Sequence, residues 1–412
     1  MSKRRVVITG MGAVTPLGIG VETTWKNAMA GVSGTRRIQS FDPAEYYSHV
    51  AGEVQGFDAN SFLNPKDQKK MDRFIQFGIL AADEAIAQAG LKDVQDDALL
   101  NRIGVLLGSG IGGLREIEET HKTMMERGPR RVSPFFIPAI LINLLSGQVS
   151  IRYKFRGPNS SVVTACATGA HAIGDAMKLI RRGAADVMVA GGAEACVCPL
   201  AVAGFGSMRA LSSAYNETPE KASRPFDKDR DGFVIAEGAG VVVLEEYEHA
   251  KKRGATIIAE VAGYGMSGDG WNMTISPEDG IGQKLAIQSA LADAEITADQ
   301  VQYVNAHATS TPAGDEIESQ VLEAVFGPKI VLSATKSMTG HMLGAAGGVE
   351  AIFTALSVSR DEVPPTINLQ SPSDNCRLDY VPHTGRQMKV QAALNNSFGF
   401  GTTNAALVFK KV

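Results

Sequence analysis

The chain has 412 residues, 44% of them hydrophobic, and a net charge of −4. That is enough apolar material for a large core, and so weak a charge excludes both the global basic footprint of a nucleic-acid binder and an acidic tail. No apolar run of about 18 residues occurs, which argues against a membrane-spanning helix.

The start, M-S-K-R-R-V-V-I-T-G-M-G, has no long apolar segment before the first strand pattern, so no signal peptide is expected. The first half then alternates strand and helix. Strands are predicted over Arg5–Thr9, Ile103–Leu107, Ser161–Ala165 and Asp186–Ala190, where short β-branched runs meet small residues. Helical periodicity covers Arg73–Ala89, Leu114–Glu126 and Ala170–Arg182. The polar stretch Ser212–Gly232 is predicted to be a surface loop. The rhythm repeats with strands over Gly240–Leu244, Ile257–Ala262, Val301–Asn305, Ile330–Ser333 and Ala405–Phe409, and helices over Gly282–Ala294, Asp315–Val325 and Leu343–Ser359. Such alternation predicts an α/β fold with a sheet covered on both faces. Glycine clusters such as G-S-G-I-G-G and G-A-A-G-G predict tight turns and close backbone approaches around a site. A short echo, V-T-A-C-A-T at Val163 and V-N-A-H-A-T at Val304, is too brief to establish a duplication.

Four cysteines without a disulfide framework, Cys166, Cys196, Cys198 and Cys376, fit a reducing compartment and a cytoplasmic protein. Cys196 and Cys198 form a lone C-x-C with no second pair nearby, which is a poor zinc motif. Cys166 ends a strand-type run where a small-residue helix begins. The helix dipole there is expected to favour thiolate, and the first N–H groups of the helix can hold an oxyanion. The small residues Ala167–Gly169 leave room for a bulky acyl group. His307 ends a predicted strand ahead of T-S-T-P, whose hydroxyls suit a ligand clamp. His341 follows a glycine and precedes small residues, so it is expected at a helix N-terminus and neutral. Two neutral imidazoles aimed at one carbonyl oxygen stabilise an enolate. Lys336 follows a buried-type strand and needs a counter-charge, for which Glu350 on the next helix is the candidate. His121 and His249 lie in charged helical patterns and are expected to be exposed, and His171 is expected to serve packing. Lys66, Lys69, Lys70 and Arg73 make a charge run that by itself reads as a solvated helix face. The G-S-G-I-G-G loop lacks the Lys-Ser/Thr ending of a nucleotide loop.

In chain order the sequence carries R-R-V-V-I-T-G-M-G-A-V-T-P-L-G, G-S-G-I-G-G-L, R-R-V-S-P-F-F-I-P, D-V-M-V-A-G-G-A-E, S-R-P-F-D-K-D-R-D-G-F-V, T-K-S-M-T-G-H and N-S-F-G-F-G. Together these resemble the β-ketoacyl-acyl-carrier-protein synthases, nearest to the elongating type II enzymes, over nearly the full chain. The resemblance implies a thiolase-like α/β fold of five layers, α-β-α-β-α, built from two similar halves. Residues 1–250 would carry the cysteine and residues 251–412 the His/Lys/His set. It implies a homodimer that works with acyl-carrier protein and needs no metal or cofactor of its own. Nucleic acid and membrane are not among the implied partners.

For individual residues, the resemblance implies that Cys166 accepts an acyl chain as a thioester. His307 and His341 assist malonyl decarboxylation, and Lys336 organises the site. The N–H groups of Cys166 and Phe400 form an oxyanion hole, and Phe400 also acts as a gate. Ile111 closes the deep end of an acyl tunnel; Phe205, Phe398 and the run Phe135–Pro138 are candidates for its wall, with core packing the alternative for Phe205 and that run. Thr309 and Thr311 hold the phosphopantetheine arm of the carrier. Lys66, Lys69, Lys70, Arg73 and Arg209 form the carrier-docking patch. The expected reaction lengthens an acyl chain by two carbons in fatty acid biosynthesis, and a specialised polyene or polyketide ketosynthase is the alternative. A chain-length partner subunit would lack the cysteine, and a degradative thiolase would use a second cysteine as base. Departures from the common pattern are C-A-T-G for C-T-S-G, H-A-T for H-G-T, Asn272 for a histidine, and Thr402 for a glycine in the mobile loop. A β-branched Thr402 is expected to narrow that loop's conformational range.

Overall fold

In the computed structural model, which describes residues 3–412, ten principal strands carry the fold. The first five are β1 (Val6–Thr15), β2 (Ile103–Gly108), β3 (Asn159–Ser160), β4 (Val187–Glu194) and β5 (Gly238–Glu246). The second five are β6 (Ala259–Gly268), β7 (Tyr303–Asn305), β8 (Val331–Ser333), β9 (Ala392–Gly399) and β10 (Thr403–Lys410). Their spatial orders are β3-β2-β4-β5-β1 and β8-β7-β9-β10-β6, the same topology twice. In each set the strands at the far end pair in parallel and the rest antiparallel. The sets meet where β1 pairs β6 at Val7↔Glu260 and Ile8↔Ala259.

The principal helices are α1 (Arg73–Gln88), α2 (Leu114–Arg127), α3 (Thr168–Arg181), α4 (Ile281–Ala294), α5 (Pro312–Phe326) and α6 (Ala346–Arg360), of which α2 buries none of its residues and packs on neighbouring helices and not on the sheet. α1 covers the outer face of the first set, capped by the Asp72 side chain on the Phe74 N–H at 3.0 Å. α4 covers the outer face of the second. α3 and α6 lie between, against strands of both sets and each other. The result is the expected five-layered arrangement. Separate apolar cores fill the middle and the two outer interfaces. An interior helix has no face for polar residues, and α6 is buried at every position from Ala346 to Val358.

Glycine lets the middle layer approach its sheet. A Cβ on Gly348 would lie 2.3 Å from the Gly240 carbonyl oxygen, and one on Gly240 would lie 2.2 Å from the Val349 nitrogen. Backbone meets backbone there, so neither side can yield.

Four expectations change. Ser161–Ala165 is not a strand. Pairing ends at Ser160, on the edge of the sheet, and the chain turns at Ala165 with φ +47. The helix expected from Leu343 starts at Ala346, after a 3-10 turn over Leu343–Ala345. Much of Ser212–Gly232 is interior. Arg224, Phe226, Asp227 and Arg230 are buried, with Arg224 donating to Asp227 at 2.9 and 3.0 Å and Arg230 reaching Glu316 at 3.0 Å. β9 was not expected from its Asn-Asn-Ser content, yet all three side chains are buried. Among the described residues no helix is long and apolar enough to cross a membrane.

Gly348→Ala is expected to destabilise the protein by about 2–3 kcal/mol. Gly204→Ala, in the helix Pro199–Ser207 with open space around it, is expected to be neutral or stabilising by about 0.5–1 kcal/mol. Thermal midpoints of the two variants measured side by side check the contrast.

Candidate active site

Cys166 sits in the 3-10 turn Ala165–Ala167 that leads into α3. Thr168 Oγ1 closes the turn, accepting from the Thr164 N–H at 2.9 Å and donating to the Ala165 carbonyl at 2.8 Å. The Thr403 hydroxyl donates to the Thr164 carbonyl at 3.2 Å, which clamps the turn to the β9–β10 hairpin. Ala165 is a non-glycine residue in the left-handed region, a strain seen where a functional side chain must be aimed.

The expected thiolate is not the resting form. Burial pushes the Cys166 thiol up to about 12. The Lys336 charge opposes that rise, Glu194 adds to it, and the N–H groups of Phe400 and of Cys166 itself favour the anion. For so buried a thiol desolvation outweighs a helix terminus. His171, as expected, packs: its Nδ1 meets the Thr164 hydroxyl at 2.8 Å and its ring lies edge-on to Tyr264.

His307 and His341 stand edge to face with ring centroids 5.5 Å apart. His307 follows β7, and its N–H and that of Ala308 donate to the buried Glu318 carboxylate at 2.8 and 2.7 Å. Asn396 donates to the same carboxylate at 3.0 Å. Sequence reading missed Glu318; the signal was a carboxylate on the α5 face that also carries the apolar Ile317, Val321 and Leu322. Burial, then the Lys336 charge, push both imidazoles well below the usual histidine range. His341 therefore is neutral as expected, but the cause is not a helix dipole, since α6 begins five residues later. Neither ring nitrogen of His341 has a hydrogen-bond partner, although both are buried.

Lys336, in the short helix Lys336–Thr339, is fully enclosed. Its Nζ lies 2.5 Å from Glu350 Oε1, the partner expected, and 3.4 Å from His307 Nδ1. Burial pushes the Glu350 carboxyl up to about 7 and the ammonium opposes that rise. The ammonium has no acceptor role, so His307 Nδ1 accepts and its proton sits on Nε2.

A cavity of about 550 Å³ opens onto these groups. Cys166, His307, His341, Phe398 and Phe400 line it together with Ile111, Phe205, Thr309, Thr311 and Arg209. The Thr309 and Thr311 hydroxyls lie 3.1 Å apart. Phe205 stacks edge-on against Phe233, whose ring in turn meets His341 edge-on. Asn272 lines the cavity too and accepts from the Thr274 N–H at 2.9 Å. Thr402, in the Phe400–Thr402 turn, has φ +65.

Other expected members stand apart. Phe135 and Ile137 are exposed and do not line the cavity. Lys66 and Lys69 are exposed, away from the cavity lining that includes Arg209. Lys70 donates to Asp67 at 2.7 Å. Arg73, with 29% of its side chain exposed, pairs with Glu237 at 3.1 Å and lies over the rings of Phe57 and Phe77. His249 is not free in solvent but pairs with Glu245 at 2.6 Å.

The beta-ketoacyl synthase N-terminal domain model matches residues 3–250 and the C-terminal domain model residues 258–370. A Vibrio cholerae protein, 3-oxoacyl-[acyl-carrier-protein] synthase 2, is 52% identical over 417 residues covering all of both chains. A Staphylococcus aureus protein of the same name is 49% identical over 99% of this chain and 98% of its own. A solved beta-ketoacyl synthase from Burkholderia phymatum is 38% identical, with a TM-score of 0.92 over 99% of this chain and 100% of that one. A type II PKS ketosynthase, solved with its acyl-carrier protein and bound to the hexaketide, is 35% identical with a TM-score of 0.92 over all of both chains. With a buried thiol, two neutral imidazoles and an enclosed ammonium around one cavity, and these matches end to end, the chain belongs to the beta-ketoacyl synthase family.

Proposed function

We propose that the chain condenses a carrier-bound malonyl group with an acyl group held on Cys166, giving a β-ketoacyl-carrier protein two carbons longer, as in fatty acid biosynthesis. The observation that carries this reading is the pair of unpartnered nitrogens on buried His341, beside His307 and over the cavity that holds the thiol. A neutral imidazole carries a single N–H, so one of these nitrogens is a donor free to meet an oxygen and the other an acceptor. Relatives about half identical over their full length bear the name of the elongating synthase, which favours fatty acid elongation over a polyketide role.

In the first step Cys166 sulfur attacks the acyl thioester. The S–acyl bond forms, the bond to the carrier sulfur breaks, and the thiol proton ends on the departing carrier thiol. Loss of the proton only as the bond forms is consistent with a resting thiol pushed up to about 12. In the second step the malonyl C–C bond breaks and carbon dioxide leaves. The electron pair becomes an enolate, whose oxygen receives N–H donors from His307 Nε2 and from His341. The enolate carbon then attacks the Cys166 thioester. The N–H groups of Cys166 and Phe400 hold the oxyanion that forms, and its collapse expels the Cys166 thiolate, which takes one proton from solvent. No α-proton has to be removed by a protein base, so neutral imidazoles suffice.

Under the same reading, the malonyl and acyl groups arrive on the phosphopantetheine arm of acyl-carrier protein, and the Thr309 and Thr311 hydroxyls receive the arm. Ile111, Phe205 and Phe398 line the acyl end. Lys66, Lys69, Lys70, Arg73 and Arg209 are the candidates for carrier docking. Residues 1–250 supply the thiol and residues 251–412 the imidazoles and ammonium. The enzyme acts as a homodimer in the cytoplasm, where its four free cysteines stay reduced.

Cys166→Ala is expected to abolish both chain extension and covalent acylation. Intact-protein mass spectrometry with acyl-carrier protein checks this, and acyl loading that persists refutes the nucleophile. His341→Ala is expected to slow malonyl decarboxylation by about a hundredfold; carbon dioxide release at the wild-type rate removes its role. Lys336→Met takes away the charge that helps depress both histidines. Their pKa values then rise toward 6.5, so they protonate at a higher pH and the acid limb of decarboxylation moves upward. A pH–rate profile with the limb unmoved or lowered contradicts this electrostatic role.

A further inference from the structure

One buried carboxylate has no part in the steps above. Glu194, at the end of β4, accepts five hydrogen bonds. Ser109 Oγ donates at 2.7 Å, and the successive N–H groups of Gly110, Ile111 and Gly112 at 2.8, 3.2 and 3.2 Å. The Gly344 N–H, from the second half of the chain, donates at 3.0 Å. Three consecutive N–H groups aimed at one point form an anion-binding nest, and here the protein fills its own nest.

The loop and the turn that Glu194 joins are walls of the cavity. Gly110, Ile111 and Leu343 line it with Cys166. Gly110 also backs onto the cysteine turn, since a Cβ there would lie 2.8 Å from Glu194 Oε2 and 3.0 Å from the Ala165 carbonyl oxygen. One carboxylate therefore ties together the Ile111 wall, the Leu343 wall and the turn that aims the nucleophile. Hydrogen bonds to an ionised acceptor are about twice as strong as neutral ones, so the join is stiff.

We propose that Glu194 is a positioning residue for acyl-chain length. By holding Ile111 and Leu343 at fixed places it sets where an acyl chain must end. The proposal rests on the condensing reading. In Glu194→Gln one oxygen becomes an NH₂ donor that faces N–H donors, and the wall is released.

The test measures kcat/KM for acyl-carrier-protein primers from hexanoyl to palmitoyl, with malonyl-carrier protein, in the full-length wild type and in E194Q, E194D and S109A. The ratio between the best and the poorest primer is expected to shrink by about tenfold in E194Q. S109A, which removes one donor, is expected to shrink it less, and E194D to retain part of it. A loss equal for all primers, with the ratio preserved, marks a purely structural role and overturns the proposal. If E194Q does not fold, an unchanged ratio in S109A and E194D overturns it. Wild type that extends no primer overturns the condensing reading, and this inference with it. Wild type that extends primers alongside unshifted variants overturns the inference alone.

Discussion

An ammonium group withdrawn from water, as at Lys336, persists only with an opposite charge at contact distance. Glu350 supplies it at 2.5 Å from the interior helix α6. The electrostatics around the cavity follow from that pair and from burial. The ammonium disfavours protonation of His307 and His341 and offsets part of the desolvation that keeps Cys166 a thiol. At rest the centre holds a thiol, two neutral rings and one matched pair. In the proposed condensation charge develops on a substrate oxygen, which neutral N–H donors suit.

The two halves reach this centre by the same local route. Ala165 and Leu343 both have φ +47, and each opens a 3-10 turn that runs into a middle-layer helix. Cys166 occupies the centre of one turn and Gly344 the centre of the other. The turns pack against each other, and only one has room for a side chain: a Cβ on Gly344 would lie 2.2 Å from the Gly110 nitrogen. The symmetric scaffold thus yields an asymmetric site with a single sulfur. The V-T-A-C-A-T and V-N-A-H-A-T echo does not mark this repeat, because His307 follows β7, the counterpart of β2 rather than of the strand before Cys166.

Much of the scaffold was legible because buried strands and helices write their period into apolar residues. The strands around Ile103, Asp186 and Ala405 and the helices from Arg73 and Leu114 fall within a few residues of expectation. So did the Lys336–Glu350 partnership, since a charge in an apolar helix needs a reason to be there. The misses share a cause. Asn395, Asn396 and Ser397 of β9, Arg224, Asp227 and Arg230, Glu318 and Glu194 are all polar and all interior, and composition assigns polar residues to the surface. Their burial depends on partners far along the chain, which no local window contains. The thiol erred in the other direction: a helix start suggested an anion, but the dryness of a cavity is a property of the assembled fold.

The hairpin turn between β9 and β10 adds a last consequence. Thr402 sits at φ +65, where a β-branched side chain costs about 1–2 kcal/mol. Two backbone contacts keep it there: the Gly401 N–H donates to the Met273 carbonyl at 2.8 Å, and the Asp269 N–H to the Thr402 carbonyl at 3.1 Å. The turn that carries Phe400 is thus a cocked spring latched to the neighbouring 269–273 strip. Losing either bond would let the backbone relax, so a residue that narrows the loop's freedom also makes its conformation depend on that strip.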